Sequence, residues 1–151
     1  MMAWEELTRS LLHLVIAFVL GIPVGWDREH RNSGPGLRTY PLLAMGACAY
    51  LEIGQLAFSD NPEAQARTFQ AVVSGIGFIG AGAIIKGRVE IHGLATAVSL
   101  WVTVSIGIAT SYGFFALAAV LSATTLVALR LLRPFKLNHH DDEHKEPGDM
   151  P

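Results

Sequence analysis

One cysteine, Cys48, stands among 151 residues. A lone thiol excludes a disulfide framework and a thiolate zinc cage within one chain. Charge is scarce too: 16% of the residues are charged, where a soluble domain carries about 25%. Basic residues are too few and too embedded in apolar sequence for a nucleic-acid module. Strands alternating with helices are missing. Apolar sequence fills the space instead, with 51% hydrophobic residues and a mean hydropathy of +0.38. This composition excludes a disordered chain or a collagen, argues against an ordinary soluble enzyme, and points to a polytopic membrane protein.

The formal net charge of −2 hides two regions. Residues 138–151 hold five acids and one lysine, whereas the body holds ten Lys/Arg and eight acids. Between charges run long apolar stretches. Ser10–Trp26 is uncharged for 17 residues; Thr39–Ser59 carries only Glu52; Thr68–Ile85 is uncharged for 18 residues; Ile91–Leu129 is uncharged for 39. A helix needs about 20 apolar residues to cross the hydrocarbon core. The economical fold is therefore all-α, a bundle of about five transmembrane helices, with spans near 10–26, 39–59, 66–85, 93–110 and 112–132.

Helix punctuation agrees. Asn61-Pro62 is a cap and first-turn pair, Gly34-Pro35-Gly36 marks a turn, Thr110-Ser111-Tyr112-Gly113 is the natural break in the long run, and Pro134 suits a helix stop. Nine Lys/Arg fall on one side of such a bundle, and two, Arg9 and Arg67, on the other. By the positive-inside rule, the N-terminus and a short segment 1–9 lie outside and the C-terminus lies in the cytoplasm. The segment before the first span holds Glu5 and Glu6, and no small-residue cleavage site follows, so a cleaved signal peptide is not expected. The tail 136–151 has a disordered composition, although its His139, His140, Asp141, Asp142, Glu143 and His144 also suit weak divalent-metal binding.

Small residues recur at helical spacing: Gly21 and Gly25; Ser74, Gly75, Gly77, Gly80, Ala81 and Gly82; Thr96, Ser99, Thr103, Gly107 and Thr110; Ala116, Ala119 and Ala123. In lipid such stripes let helix backbones approach closely, so packing seams are expected. The fourth-span stripe also suits a polar lining. The third-span glycines leave two readings open: a helix-packing surface, or an unwound segment whose carbonyls meet an ion. They match the spacing of a dinucleotide loop, but no strand precedes them and no acid follows at the right distance.

Four blocks then stand together: LGIPVGWDREHR (20–31), GLRTYPLLAMGA (36–47), SGIGFIGAGAII (74–85) and HGLATAVSLW (92–101). In order and spacing they resemble the MgtC/SapB family of bacterial membrane proteins, over roughly residues 11–135. The resemblance implies a multi-pass protein of the bacterial inner membrane linked to magnesium homeostasis, acid or other stress adaptation and, in pathogens, survival in host cells. It implies a regulator of other membrane machinery, including the ATP synthase, with no established catalytic residues. Because the sequence stops 16 residues after Phe135, the resemblance is closer to the short SapB-like form, without the C-terminal cytoplasmic ACT-like domain. The family pattern matches at Asp27, Arg28, Glu29, Gly36, Leu37, Arg38, Thr39, Arg67, Gly75, Gly77, Phe78, Gly80, Ala81, Gly82, Gly93, Leu94, Thr96, Ala97 and Trp101. Tyr40 stands where His or Asn is common.

The functional candidates follow. Asp27, Arg28, Glu29, Arg38 and Thr39 form a charged edge on the cytoplasmic side, suited to an ion-pair network, a partner protein or a hydrated magnesium ion. Asp27, Glu29 and Glu52 are weak metal candidates, since magnesium needs oxygen ligands. Glu52 lies 14 residues past Arg38, about 20 Å into the second span, where a carboxylate is a functional hypothesis. His13 is its candidate partner, making an intramembrane proton pair. The competing reading places Glu52 at the outer water interface. Arg67 is an outer-side charge within reach of Glu63, four residues earlier. No catalytic residue or cofactor is expected beyond low-level magnesium association. The expected partners are the bilayer and another membrane protein or a second copy. The leading reading is a non-enzymatic regulator; the alternatives are a magnesium or proton transporter or channel, and an enzyme acting at the charged edge.

Overall fold

The computed structural model describes residues 2–30, 35–86 and 91–131. It contains five helices: α1 (Met2–Glu29), α2 (Thr39–Ala57), α3 (Pro62–Gly82), α4 (Leu94–Ser111) and α5 (Phe115–Leu131). The described residues are thus all-helical apart from one two-residue antiparallel pair, β1 (Ile85–Lys86) with β2 (Ile91–His92). The five helices expected from the apolar runs are present. The expected break near residue 110 falls at Tyr112-Gly113, where Gly113 takes the left-handed conformation (φ 76°). The stop at Pro134 and the acidic, histidine-rich tail lie outside the described residues, as does Gly34 of the first turn.

Local chemistry sets the helix ends. Asn61 caps α3 by accepting a hydrogen bond from the Ala64 N–H at 3.0 Å, with Pro62 in the first turn. The third helix stops three residues earlier than the apolar run suggests. Ala83 closes the last turn with bonds to Ile79 and Gly80 carbonyls, and the chain then turns into the strand pair. Gly93, at φ 89°, brings it back into α4; a Cβ here would collide with the Ala83 carbonyl oxygen. Both the backbone angle and the close approach therefore require glycine. The segment 1–9, expected as a separate external piece, continues α1 from Met2 onward.

α4 is the central helix and packs on all four others, whereas α3 makes substantial contact only with α2 and α4. The α4 stripe Thr96, Ser99, Thr103, Gly107 and Thr110 is buried. Two of its hydroxyls turn back onto their own helix: Thr103 donates to the Ser99 carbonyl at 2.7 Å and Thr110 to that of Ile106 at 2.8 Å. The stripe is a packing seam. At Gly107 an added Cβ would strike the Ala44 carbonyl of α2, and at Gly21 of α1 it would come within 2.7 Å of Pro41 Cα.

Two expectations about faces need correction. Ala116, Ala119 and Ala123 of α5 are exposed, and the inward face is instead Ala118 and Ser122. The register is set by Ser122, whose hydroxyl donates to the Leu20 carbonyl of α1 at 2.7 Å. Neither reading of the α3 glycines holds within the chain. The helix is unbroken through Gly82, and a Cβ on Gly75, Gly77 or Gly82 would meet nothing within 4 Å; only Gly80 approaches Ala97 of α4, at 3.9 Å from the carbonyl oxygen. α3 rests on its Val72 and Ile76 side, which turns the glycines outward.

Among the described residues two helices, α1 (over Trp4–Glu29) and α4, are long and apolar enough to cross a membrane, and α5 is apolar but shorter, at 17 residues. Tyr40, Pro41, Glu52 and Gln55 dilute the apolar character of α2. The first turns of α3 are polar with Glu63, Gln65, Arg67, Thr68 and Gln70. The outer surface nevertheless carries many large apolar side chains, among them Leu11, Val15 and Val19 of α1, Leu42 and Ile53 of α2, Val98 and Trp101 of α4, and Leu117 and Val120 of α5. Monomeric soluble proteins seldom expose apolar area on this scale.

Candidate functional site

The bundle carries polar chemistry at both ends, with a closely packed layer of apolar and small hydroxyl side chains between. At one end the start of α1 meets the ends of α2 and α4 and the start of α5. His13 Nδ1 and Glu52 Oε1 lie 2.6 Å apart, with side chains only 6% and 11% exposed. The sequence brings them together for a plain reason. Ala44, Cys48 and Glu52 follow one another at four-residue spacing on α2, and the first two are fully buried with Ala17 of α1. That small-residue contact pulls α1 against α2 and carries His13, one turn above Ala17, to Glu52. The His13 ring meets Phe115 of α5 in a T-shaped contact, with centroids 5.2 Å apart. A polar cleft of about 230 Å³ opens beside Glu52, lined by Glu6, Arg9, Ser10, Gln55, Leu56 and Ser111. Glu52 is therefore in the wall of a cleft at the bundle end, and it is also paired.

At the opposite end, the charged edge divides into separate tasks. Asp27 is 4% exposed and accepts a hydrogen bond from Arg130 Nε of α5 at 3.3 Å. Arg28, 7% exposed, is buried beside it. Glu29 takes another job: its Oε2 accepts the Leu37 N–H at 3.0 Å and so clamps the turn into α2. A Cβ at Gly36 would run into the Glu29 carboxylate, so a side chain there would displace this clamp. The Gly36 carbonyl accepts the N–H groups of Thr39 and Tyr40, starting the helix. Arg38 is exposed at the helix start and makes no capping bond, and Thr39 is half-buried. Asp27 and Glu29 are thus engaged by different partners, Arg130 and the Leu37 N–H. Among the described residues no three His, Cys, Asp or Glu side chains gather as a metal site.

Sequence reasoning missed the center of this layer. The Tyr40 hydroxyl and Ser99 Oγ share a buried 2.6 Å hydrogen bond between α2 and α4, and Ser99 Oγ also lies 2.8 Å from the Thr96 carbonyl. Asp27 and Arg28 are within electrostatic reach of Tyr40. Tyr40 is a polar aromatic residue at the head of an apolar run, and Ser99 stands out only as a member of the α4 stripe; nothing local pairs the two across 59 positions. Arg130, one of the nine Lys/Arg on the cytoplasmic side of the count, likewise shows no sign in the sequence of its pairing with Asp27. At the other periphery, Arg67 pairs with Glu63 at 2.7 Å as its four-residue spacing allows, with both side chains largely exposed. The weak stabilisation expected of such a pair makes it a minor feature.

A model of the MgtC family matches residues 14–137. An uncharacterized protein of Synechocystis, slr0014, is 39% identical over 140 residues, covering 91% of this chain and 58% of that protein. Protein MgtC of Brucella abortus is 36% identical over 133 residues, covering 88% of this chain and 55% of that protein. A protein of Escherichia coli named "Putative magnesium transporter YhiD" is 33% identical over 127 residues, covering 80% and 59%. The chain thus matches between half and three-fifths of the length of these relatives. No solved structure matches it.

Proposed function

Because the chain belongs to the MgtC family, we propose that it is a non-enzymatic inner-membrane protein that acts by binding another membrane protein, in adaptation to low magnesium or acid stress. Its N-terminus lies outside and its C-terminus in the cytoplasm, as the Lys/Arg asymmetry favours. The observation that carries this reading is the open face of α3. Gly75, Gly77 and Gly82 have free space where a Cβ would sit, and Phe78 beside them is 86% exposed. An apolar groove of about 390 Å³ between α2 and α3 adjoins this face and includes Gly46, Tyr50, Gly75 and Ile79 in its lining. Glycine weakens a helix by roughly 0.5–1 kcal/mol relative to alanine. Close approach of a second helix is what small residues on such a face allow.

A photo-crosslinking residue placed at Phe78, in membranes from the cells that use the protein, tests this reading. A discrete adduct with one membrane protein, lost when Gly75 is changed to leucine, is the expected result. Adducts with lipid alone count against it.

The second reading, a magnesium or proton transporter, draws on the name of the Escherichia coli relative and on the buried His13–Glu52 pair. Its test is magnesium and proton flux into liposomes holding the purified protein under an imposed membrane potential. Flux above that of empty liposomes, reduced by Glu52→Gln, would move the chain to this class.

A further inference from the structure

The His13–Glu52 pair does work that helix docking does not require. At 2.6 Å a ring nitrogen and a carboxylate oxygen repel unless a hydrogen lies between them. The pair therefore always holds at least one proton, on the ring or on the carboxyl group. It can take one more from water, raising its net charge by one and leaving a hydrogen bond intact, since a protonated imidazole still donates to the carboxylate. In a buried setting such a change is strongly felt, because charge is poorly screened there.

A cleft opens the pair to solution at one end, and close packing lies on its other side. Above it, the polar cleft brings Glu6, Arg9, Ser10, Gln55 and Ser111 to the Glu52 wall. Gln55 Nε2 reaches the Ser111 carbonyl at 3.5 Å, tying α2 to α4 across the cleft. Below the pair, Ala17, Ala44 and Cys48 are fully buried, with Leu14 packed on them. Gly21 sits against Pro41, and Gly107 against the Ala44 carbonyl, so the α1–α2 and α2–α4 seams are closed. The titratable or charged groups facing the pair are Glu6 and Arg9 from α1 and Cys48 from α2; α4 and α5 bring Ser111 and Phe115, which do not titrate in water.

We infer that His13 and Glu52 form a proton-binding site that exchanges with the solution at the α1 N-terminal end of the bundle and with no other. The inference goes beyond the docking role and stands without it: the protein senses acidity at that end through the bond joining α1 to α2.

The test uses the full chain in lipid nanodiscs with 15N-labelled histidine, the His13 signal being the one lost in His13→Asn. Across about pH 4–9, where histidine charge changes are read, the His13 ring nitrogens pass between two protonation states. In Glu52→Gln, which removes the carboxylate half of the site, the pH dependence of the His13 ring signals is altered, and the other histidines stay unmoved. A His13 signal that is constant over this range, or that titrates identically in wild type and Glu52→Gln, overturns the site. The wild-type titration needs no variant, and circular dichroism with size exclusion shows whether each variant is folded. Sidedness is read as proton flux in liposomes: none above empty liposomes is expected. Flux that Glu52→Gln removes overturns one-sided access while leaving the proton site standing, and neither arm depends on whether α3 docks a partner.

Discussion

Tyr40 and Ser99 are 59 positions apart, yet their hydroxyl oxygens lie 2.6 Å from each other where α2 crosses α4. Ser99 has a second partner in the Thr96 carbonyl at 2.8 Å, so the two residues respond unequally to substitution. Tyr40→Phe leaves Ser99 bonded and loses one interhelical bond, about 0.6–1.7 kcal/mol in a membrane setting. Ser99→Ala strands the Tyr40 hydroxyl, at about 1–3 kcal/mol. Thermal unfolding in detergent is expected to rank Ser99→Ala as the more destabilised, with the double variant less affected than the two singles added together.

Glu29 and Leu37 supply a second prediction. The Glu29 carboxylate acts as an acceptor for the Leu37 N–H, a task that a glutamine carbonyl also performs. Glu29→Gln should change stability by less than about 0.5 kcal/mol, whereas Glu29→Ala should lose about 0.5–1.5 kcal/mol. If Asp27→Asn and Glu29→Gln cells keep full function, an enzymatic role for the charged edge is removed as well.

Breaking the buried pair from either side should be costly. His13→Ala leaves Glu52 in its buried wall position without its partner, and truncating one member of a buried pair typically costs about 3–5 kcal/mol. Chemical unfolding of His13→Ala, Glu52→Ala and the double variant checks this. The double variant should be more stable than the singles summed predict, because no uncompensated charge remains.

Much of this architecture is readable in the sequence because its causes are local. The five helices follow from apolar runs broken by charges. The Asn61-Pro62 start of α3 follows from capping chemistry. The closeness of His13 to Glu52 follows from depth in their runs and a shared small-residue face. What escaped reading depends on the rotation of one helix against another. The α5 alanines at 116, 119 and 123 point outward because Ser122 reaches the Leu20 carbonyl, a contact across 102 positions. The α3 glycines look like those of α1 and α4 in sequence. Only the packing of Val72 and Ile76 turns them away from the bundle. Asp27 with Arg130, and Tyr40 with Ser99, are partners that only the folded chain selects.

The contrast among glycines tests the central claim, that α3 offers its open face to another helix. Gly21→Ala and Gly107→Ala should destabilise the protein by about 1–3 kcal/mol, since each added methyl group meets backbone in a closed seam. Gly75→Ala and Gly77→Ala have free space and should stabilise α3 by roughly 0.5–1 kcal/mol each. The decisive measurement is growth at low magnesium of cells that depend on this protein, carrying Gly75→Leu with Gly82→Leu. The account predicts a folded protein at normal abundance, at least as stable as wild type, that no longer supports growth. Full growth on this variant would contradict it.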